Sequence, residues 1–123
     1  MKKILIVDDS KVVRKFMAKC LIDLGFTDLT EAVDGKEALN IVKETMPEVI
    51  ILDWNMQVVT CLEFITELRK LPNGNYPVII FCSTDIETRK VQIAICNTVN
   101  EYIMKPIDVD ILKTKLIQMG VMD

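Results

Sequence analysis

The side chains in this sequence that could together handle a phosphoryl group are few and spaced far apart. Asp8 and Asp9 form an adjacent carboxylate pair, Asp53 is a third carboxylate, Ser83 offers a hydroxyl and Lys105 an ammonium group. Each follows a short apolar run. Lys3-Ile4-Leu5-Ile6-Val7 leads into Asp8-Asp9, and Glu48-Val49-Ile50-Ile51-Leu52 leads into Asp53. Val78-Ile79-Ile80-Phe81-Cys82 leads into Ser83, and Glu101-Tyr102-Ile103-Met104 into Lys105-Pro106. A single aspartate ending a strand is ordinary turn chemistry. Repetition of the same construction is more informative, because parallel strands would bring all of these ends together. Three carboxylates at close quarters raise one another's pKa unless a cation intervenes. A donor set of hard oxygens, without His or Cys, suits Mg²⁺. A carboxylate can also attack phosphorus and form an aspartyl phosphate. Phosphoryl transfer then asks the protein mainly for positioning and charge neutralisation. Asp53, on the middle strand, is the best-placed nucleophile, with Asp8 and Asp9 flanking it as metal ligands. Lys105 and the Ser83 hydroxyl would cover phosphoryl oxygens.

The elements that must position these residues alternate between strand and helix. The strands are expected near Lys3–Asp8, Asp28–Val33, Glu48–Asp53, Val78–Ser83 and Glu101–Met104. A first helix runs from a Ser10 N-cap to Leu24, with Val13, Met17, Leu21 and Leu24 on one face and Gly25 as its stop. Asp34-Gly35-Lys36-Glu37 has capping-box spacing and opens a second helix, with Ala38, Leu39, Val42 and Met46 inward and Pro47 as its end. A third helix is expected from Thr60, with Glu63 completing a capping box and Leu62, Ile65 and Leu68 buried. Pro72-Asn73-Gly74-Asn75 is a turn cluster. A fourth helix follows Thr84-Asp85-Ile86-Glu87, with a poor polar/apolar period. A fifth starts at Asp108, with Val109, Leu112, Leu116 and Met119 inward. Alternating βα units imply a parallel sheet covered by helices on both faces. In such sheets ligands bind beyond the carboxyl ends of the strands, where Asp8, Asp9, Asp53, Ser83 and Lys105 all lie.

Composition excludes several other functions. The chain has 123 residues, enough for one domain with a real core at 50% hydrophobic content. No apolar run approaches the roughly 20 residues needed to cross a bilayer, and the first residues do not resemble a signal peptide. A soluble, cytoplasmic protein is expected. The net charge of −3, with acid and base interspersed, gives no electrostatic footprint for nucleic acid. There is no histidine, so Ser-His and Cys-His nucleophile pairs and imidazole metal sites are absent. The four cysteines, Cys20, Cys61, Cys82 and Cys96, contain no CxxC pair. Three lie in apolar surroundings and read as reduced core residues, with Cys61 in a loop.

Asp8-Asp9, Asp53, Ser83 and Lys105-Pro106, on a five-fold βα chain of this length, resemble the receiver domain of two-component response regulators. The resemblance covers residues 1–123 as a single receiver domain with no output domain, a stand-alone CheY-like regulator. It implies an α/β, flavodoxin-like doubly wound (βα)5 fold with strand order 2-1-3-4-5. Asp53 would accept a phosphoryl group from a sensor histidine kinase or phosphotransfer protein. Mg²⁺, with Mn²⁺ able to substitute, would be held by Asp8 or Asp9, Asp53 and the backbone carbonyl of Asn55. Ser83 and Tyr102 would act as switch residues, and Asn55 and Asp85 would tune hydrolysis. The face of the fourth helix, fifth strand and fifth helix would contact a downstream protein, and a phosphatase is a further candidate partner. Catalysis would be limited to self-phosphorylation and autodephosphorylation. Chemotaxis and other phosphorelays are both compatible.

The sequence departs from the family pattern at Gln57, where proline is usual, and at Cys61 and Thr98, where glycine is expected. Thr84 stands where a smaller residue is common. A non-glycine residue at positive φ costs on the order of 1 kcal/mol, so these loops are expected to be rerouted or strained. An alternative is a receiver-fold interaction module that works without phosphorylation. A phosphatase using Asp53 as nucleophile is less favoured, because Asn55 stands where a second aspartate would be needed. Flavin binding lacks a glycine- or hydroxyl-rich phosphate loop after the first strand.

Overall fold

Two apolar clusters, one on each side of a central sheet, account for the unbroken apolar runs in its inner strands. The computed structural model describes residues 2–53, 58–83, 101–104 and 108–122. Its strands are β1 (Lys3–Val7), β2 (Asp28–Ala32), β3 (Val49–Asp53), β4 (Val78–Ser83) and β5 (Glu101–Met104). All neighbouring pairs are parallel, in the order β2-β1-β3-β4-β5. The described helices are α1 (Lys11–Asp23), α2 (Gly35–Glu44), α3 (Val58–Lys70) and a last helix, Val109–Gln118.

Successive strand residues face opposite sides. Leu5, Val7, Ile50, Leu52, Ile79 and Phe81 pack under α2 and α3 against Ala38, Val42, Phe64, Ile65 and Leu68. Ile4, Ile6, Val49, Ile51, Ile80 and Cys82 pack on the other side against α1 and the last helix. Each fully buried Ile, Leu or Phe side chain contributes about 1.5–3 kcal/mol. The two-sided core therefore holds β1, β3 and β4 in a single register. β2, paired with β1 alone, is only partly buried until Ala32, as an edge strand should be.

Local signals set most helix starts. Ser10, Asp34 and Asp108 are N-caps whose side chains accept from the backbone N–H three residues on. The Asp34 bond, from Glu37 N to Oδ1, is 2.8 Å. Asp34→Ala removes it and is expected to cost about 1 kcal/mol, read as a lower urea midpoint with an unchanged slope. An unchanged midpoint would mean that this cap contributes nothing.

Two boundaries differ from expectation. α3 begins at Val58 rather than Thr60. Valine costs only a few tenths of a kcal/mol in a helix, so the Val58-Val59 pair does not delay it, and the Thr60–Glu63 spacing lies inside the helix. Cys61 is therefore helical rather than in a loop, and the strain expected there does not arise. Asn73, at φ 63°, is the non-glycine residue at positive φ among those described. α2 stops at Glu44, with Thr45 already extended at its C-cap, so Met46 is not part of the helical stripe. A residue preceding proline is pushed out of the helical region. Met46 still packs against the core from beyond the helix end.

Candidate functional site

The register aligns the strand ends. Val7 is level with Leu52, so Asp8 and Asp53 are the next residues on neighbouring strands. Asp53 is level with Cys82, and Ser83 follows it. Ser83 is level with Met104, which precedes Lys105 in sequence. Adjacent strands are about 4.8 Å apart. The backbone at Asp8, Asp53, Ser83 and the end of β5 thus forms one edge, with β3 in the centre. The backbone of Tyr102 lies on β5, level with Phe81. Asn55, Asp85 and Lys105, together with Gln57, Thr84 and Thr98, lie outside the described residues.

Asp8 and Asp9 divide into a buried and an exposed carboxylate. Asp8 is 3% exposed. Its Oδ1 accepts from Ser10 N at 2.8 Å, and its own N–H donates to the Ala32 carbonyl at 3.1 Å. Ser10 in turn caps α1. The turn that starts α1 thus also orients Asp8. Asp9, the next residue, is exposed. A buried carboxylate is costly unless its charge is compensated. An oxygen-only pair at the open end of a sheet fits a hard dication such as Mg²⁺, which takes one or two carboxylates and keeps several waters.

Arg14, not singled out from the sequence, completes this corner. Its side chain is 11% exposed. Nη1 donates to the Asp8 carbonyl at 2.7 Å, and Nε donates to Glu31 Oε1 at 3.1 Å. Lys15 Nζ donates to Glu31 Oε2 at 2.7 Å. The hydrogen bond from Lys15, reinforced by Arg14, holds the Glu31 carboxyl below its usual range against the opposing effect of burial. The sequence carried one weak hint. A base near a helix N-terminus opposes the helix dipole, so Arg14 needed a partner, but that partner lies 17 residues away on β2.

The two buried cysteines described, Cys20 and Cys82, are both thiols. Burial, then the carboxylates of Asp23 and Asp108, pushes the Cys20 thiol up. This fits the expected reduced core thiols. No described helix is long and apolar enough to cross a membrane.

A parallel sheet in this order, with acidic residues at the carboxyl ends of its central strands, is a doubly wound fold of the kind that binds ligands at its switch-point crevice. Comparison with known proteins makes the class specific. Residues 4–117 match the model of the response regulator receiver domain, and the chain belongs to that family. It is 36% identical over 115 residues to a chemotaxis protein CheY homolog of Campylobacter jejuni, covering 93% of this chain and 88% of the relative. Among solved structures, it is similar to the chemotaxis response regulator CheY4 of Vibrio cholerae. That match has a TM-score of 0.82 and 30% identity, covering 96% of this chain and 98% of the other. The receiver domain of a sensor histidine kinase from Pseudomonas aeruginosa, with a magnesium ion coordinated in its active-site cleft, shares the fold. Its TM-score is 0.80 at 24% identity, with 95% of each chain covered.

Proposed function

We propose that this chain is a phosphorylation switch, in which Asp53 accepts a phosphoryl group and the modified domain changes its affinity for a downstream protein. The donor is a sensor histidine kinase or a phosphotransfer protein. The main support is the register, which sets the backbone of Asp8, Asp53 and Ser83 side by side at one sheet edge. In the transfer, a carboxylate oxygen of Asp53 forms the new O–P bond. The donor's N–P bond breaks, and its electron pair stays on the imidazole nitrogen, which takes up a proton. Ser83 and Lys105 orient and neutralise phosphoryl oxygens.

Asp8, Asp9, Asp53 and the Asn55 backbone carbonyl would hold Mg²⁺, or Mn²⁺ in its place. When bound, the ion offsets phosphoryl charge. The buried Asp8 carboxylate beside exposed Asp9 supports this assignment. So does the magnesium in the cleft of the Pseudomonas receiver domain. Ser83 and Tyr102 carry the change to the face that the family resemblance assigns to the expected fourth helix, β5 and the last helix, and Asn55 and Asp85 tune hydrolysis. The protein acts in the cytoplasm, and its catalysis is confined to its own phosphorylation and dephosphorylation. The chemotaxis names of its relatives favour a chemotaxis pathway.

Trp54, the sole tryptophan, directly follows Asp53 and provides the test. Titration with Mg²⁺ should give a saturable fluorescence change. Beryllofluoride, a mimic of the bound phosphoryl group, should add a second change, and Asp53→Asn should alter both. Silence in fluorescence and in metal-binding calorimetry alike would overturn the proposal in favour of an interaction module that works without phosphorylation.

A further inference from the structure

The geometry points to Arg14 as a positioning residue for divalent-cation binding, acting through the peptide that joins Asp8 to Asp9. This rests on the proposal that these two aspartates hold Mg²⁺. Burying a guanidinium is unfavourable unless its donors are satisfied, and here they meet two acceptors from different parts of the chain. Nε is held by Glu31 on β2 at 3.1 Å, and Nη1 donates to the Asp8 carbonyl, just beyond β1, at 2.7 Å. A peptide unit is planar, so fixing that carbonyl fixes the plane from which the Asp9 backbone departs. The Asp8 N–H bond to Ala32 and the Ser10 N–H bond to the Asp8 carboxylate restrain the same segment from its other sides. Among the described residues these three hydrogen bonds restrain the segment that carries the two consecutive aspartates, and of the three the one from Arg14 reaches the peptide between them. The planar fork of arginine can serve two acceptors at once, whereas a lysine ammonium on a flexible stem cannot replace that geometry.

Two other roles predict different outcomes. A simple clamp between α1 and β2 would affect stability and leave metal affinity alone. A purely electrostatic role would have the opposite sign, since removing a positive charge near a dication site strengthens binding.

Mg²⁺ alone is titrated by calorimetry into the parent, Arg14→Met, Arg14→Lys and Lys15→Met, with thermal unfolding measured on each. Arg14→Met should weaken Mg²⁺ on the order of tenfold, as removing a partner that orients a metal ligand commonly does. Arg14→Lys, which keeps the charge, should also weaken it. It supplies the decision should Arg14→Met fail to fold. Lys15→Met, which removes only an exposed partner of Glu31, should bind like the parent. Parent-like or tighter binding by folded Arg14→Met overturns the inference, as does parent-like binding by Arg14→Lys. A parent that binds no Mg²⁺ overturns the metal assignment itself, which separates the two failures.

Discussion

Asp53→Asn should take up no phosphoryl group from a small-molecule phosphodonor under conditions that label the parent, with incorporation lower by at least about 100-fold. An amide has neither the negative charge nor the nucleophilic oxygen pair of a carboxylate. It is nearly isosteric, so the comparison isolates chemistry from packing. β3 ends at Asp53 between β1 and β4, and its preceding residues Ile50, Ile51 and Leu52 are almost fully buried. The strand should therefore hold its place in the variant, with the thermal midpoint little changed. The label in the parent should be released by hydroxylamine, as expected of an acyl phosphate. Label retained at parental level in Asp53→Asn would place the acceptor elsewhere. A parent that cannot be labelled, yet retains full cellular function as Asp53→Asn, would favour the phosphorylation-independent module.

The strands and the site edge were legible in the sequence for a specific reason. A strand buried on both faces must be apolar throughout, so the first polar residue after it marks the carboxyl end directly. Asp8, Asp53 and Ser83 follow that rule, and the observed register aligns them. The N-caps at Ser10, Asp34 and Asp108 were legible because capping depends on residues three apart. Thr60–Glu63 shows the limit of that signal, since the same spacing occurs inside a helix that has already begun. Met46 shows another, because helical spacing does not reveal that the chain has left the helix before a proline. Arg14 had no short-range signature. Its role depends on Glu31 reaching it from the edge strand, a meeting produced by the fold rather than by local propensity. Gly74 was legible as part of a turn, but not as a residue with no room for a side chain.

That lack of room predicts the largest loss of stability. Gly74 is buried in the connection from α3 to β4. A Cβ there would overlap the Leu68 carbonyl oxygen, in the last turn of α3, and lie 2.8 Å from the Leu71 carbonyl oxygen, just beyond it. These atoms cannot move aside easily. Leu68 O accepts from Leu71 N at 3.0 Å, and Leu71 O accepts from Gly74 N at 2.8 Å. Arg69 Nη1 also donates to the carbonyls of Gly74 and Pro77, at 2.8 and 3.2 Å, tying the loop to α3 just before β4 begins. Gly74→Ala must break some of these bonds or displace the last turn of α3. The expected cost is about 3 kcal/mol, lowering the thermal midpoint by roughly 10 °C. Gly25 is the control. It has φ +101° but open space around its α-carbon, so Gly25→Ala should cost on the order of 1 kcal/mol, from backbone strain alone. Equal losses in the two variants would show that the α3–β4 loop can take another path. The larger loss at Gly74 would show that this crowded turn fixes where β4 starts and, with it, where Ser83 arrives.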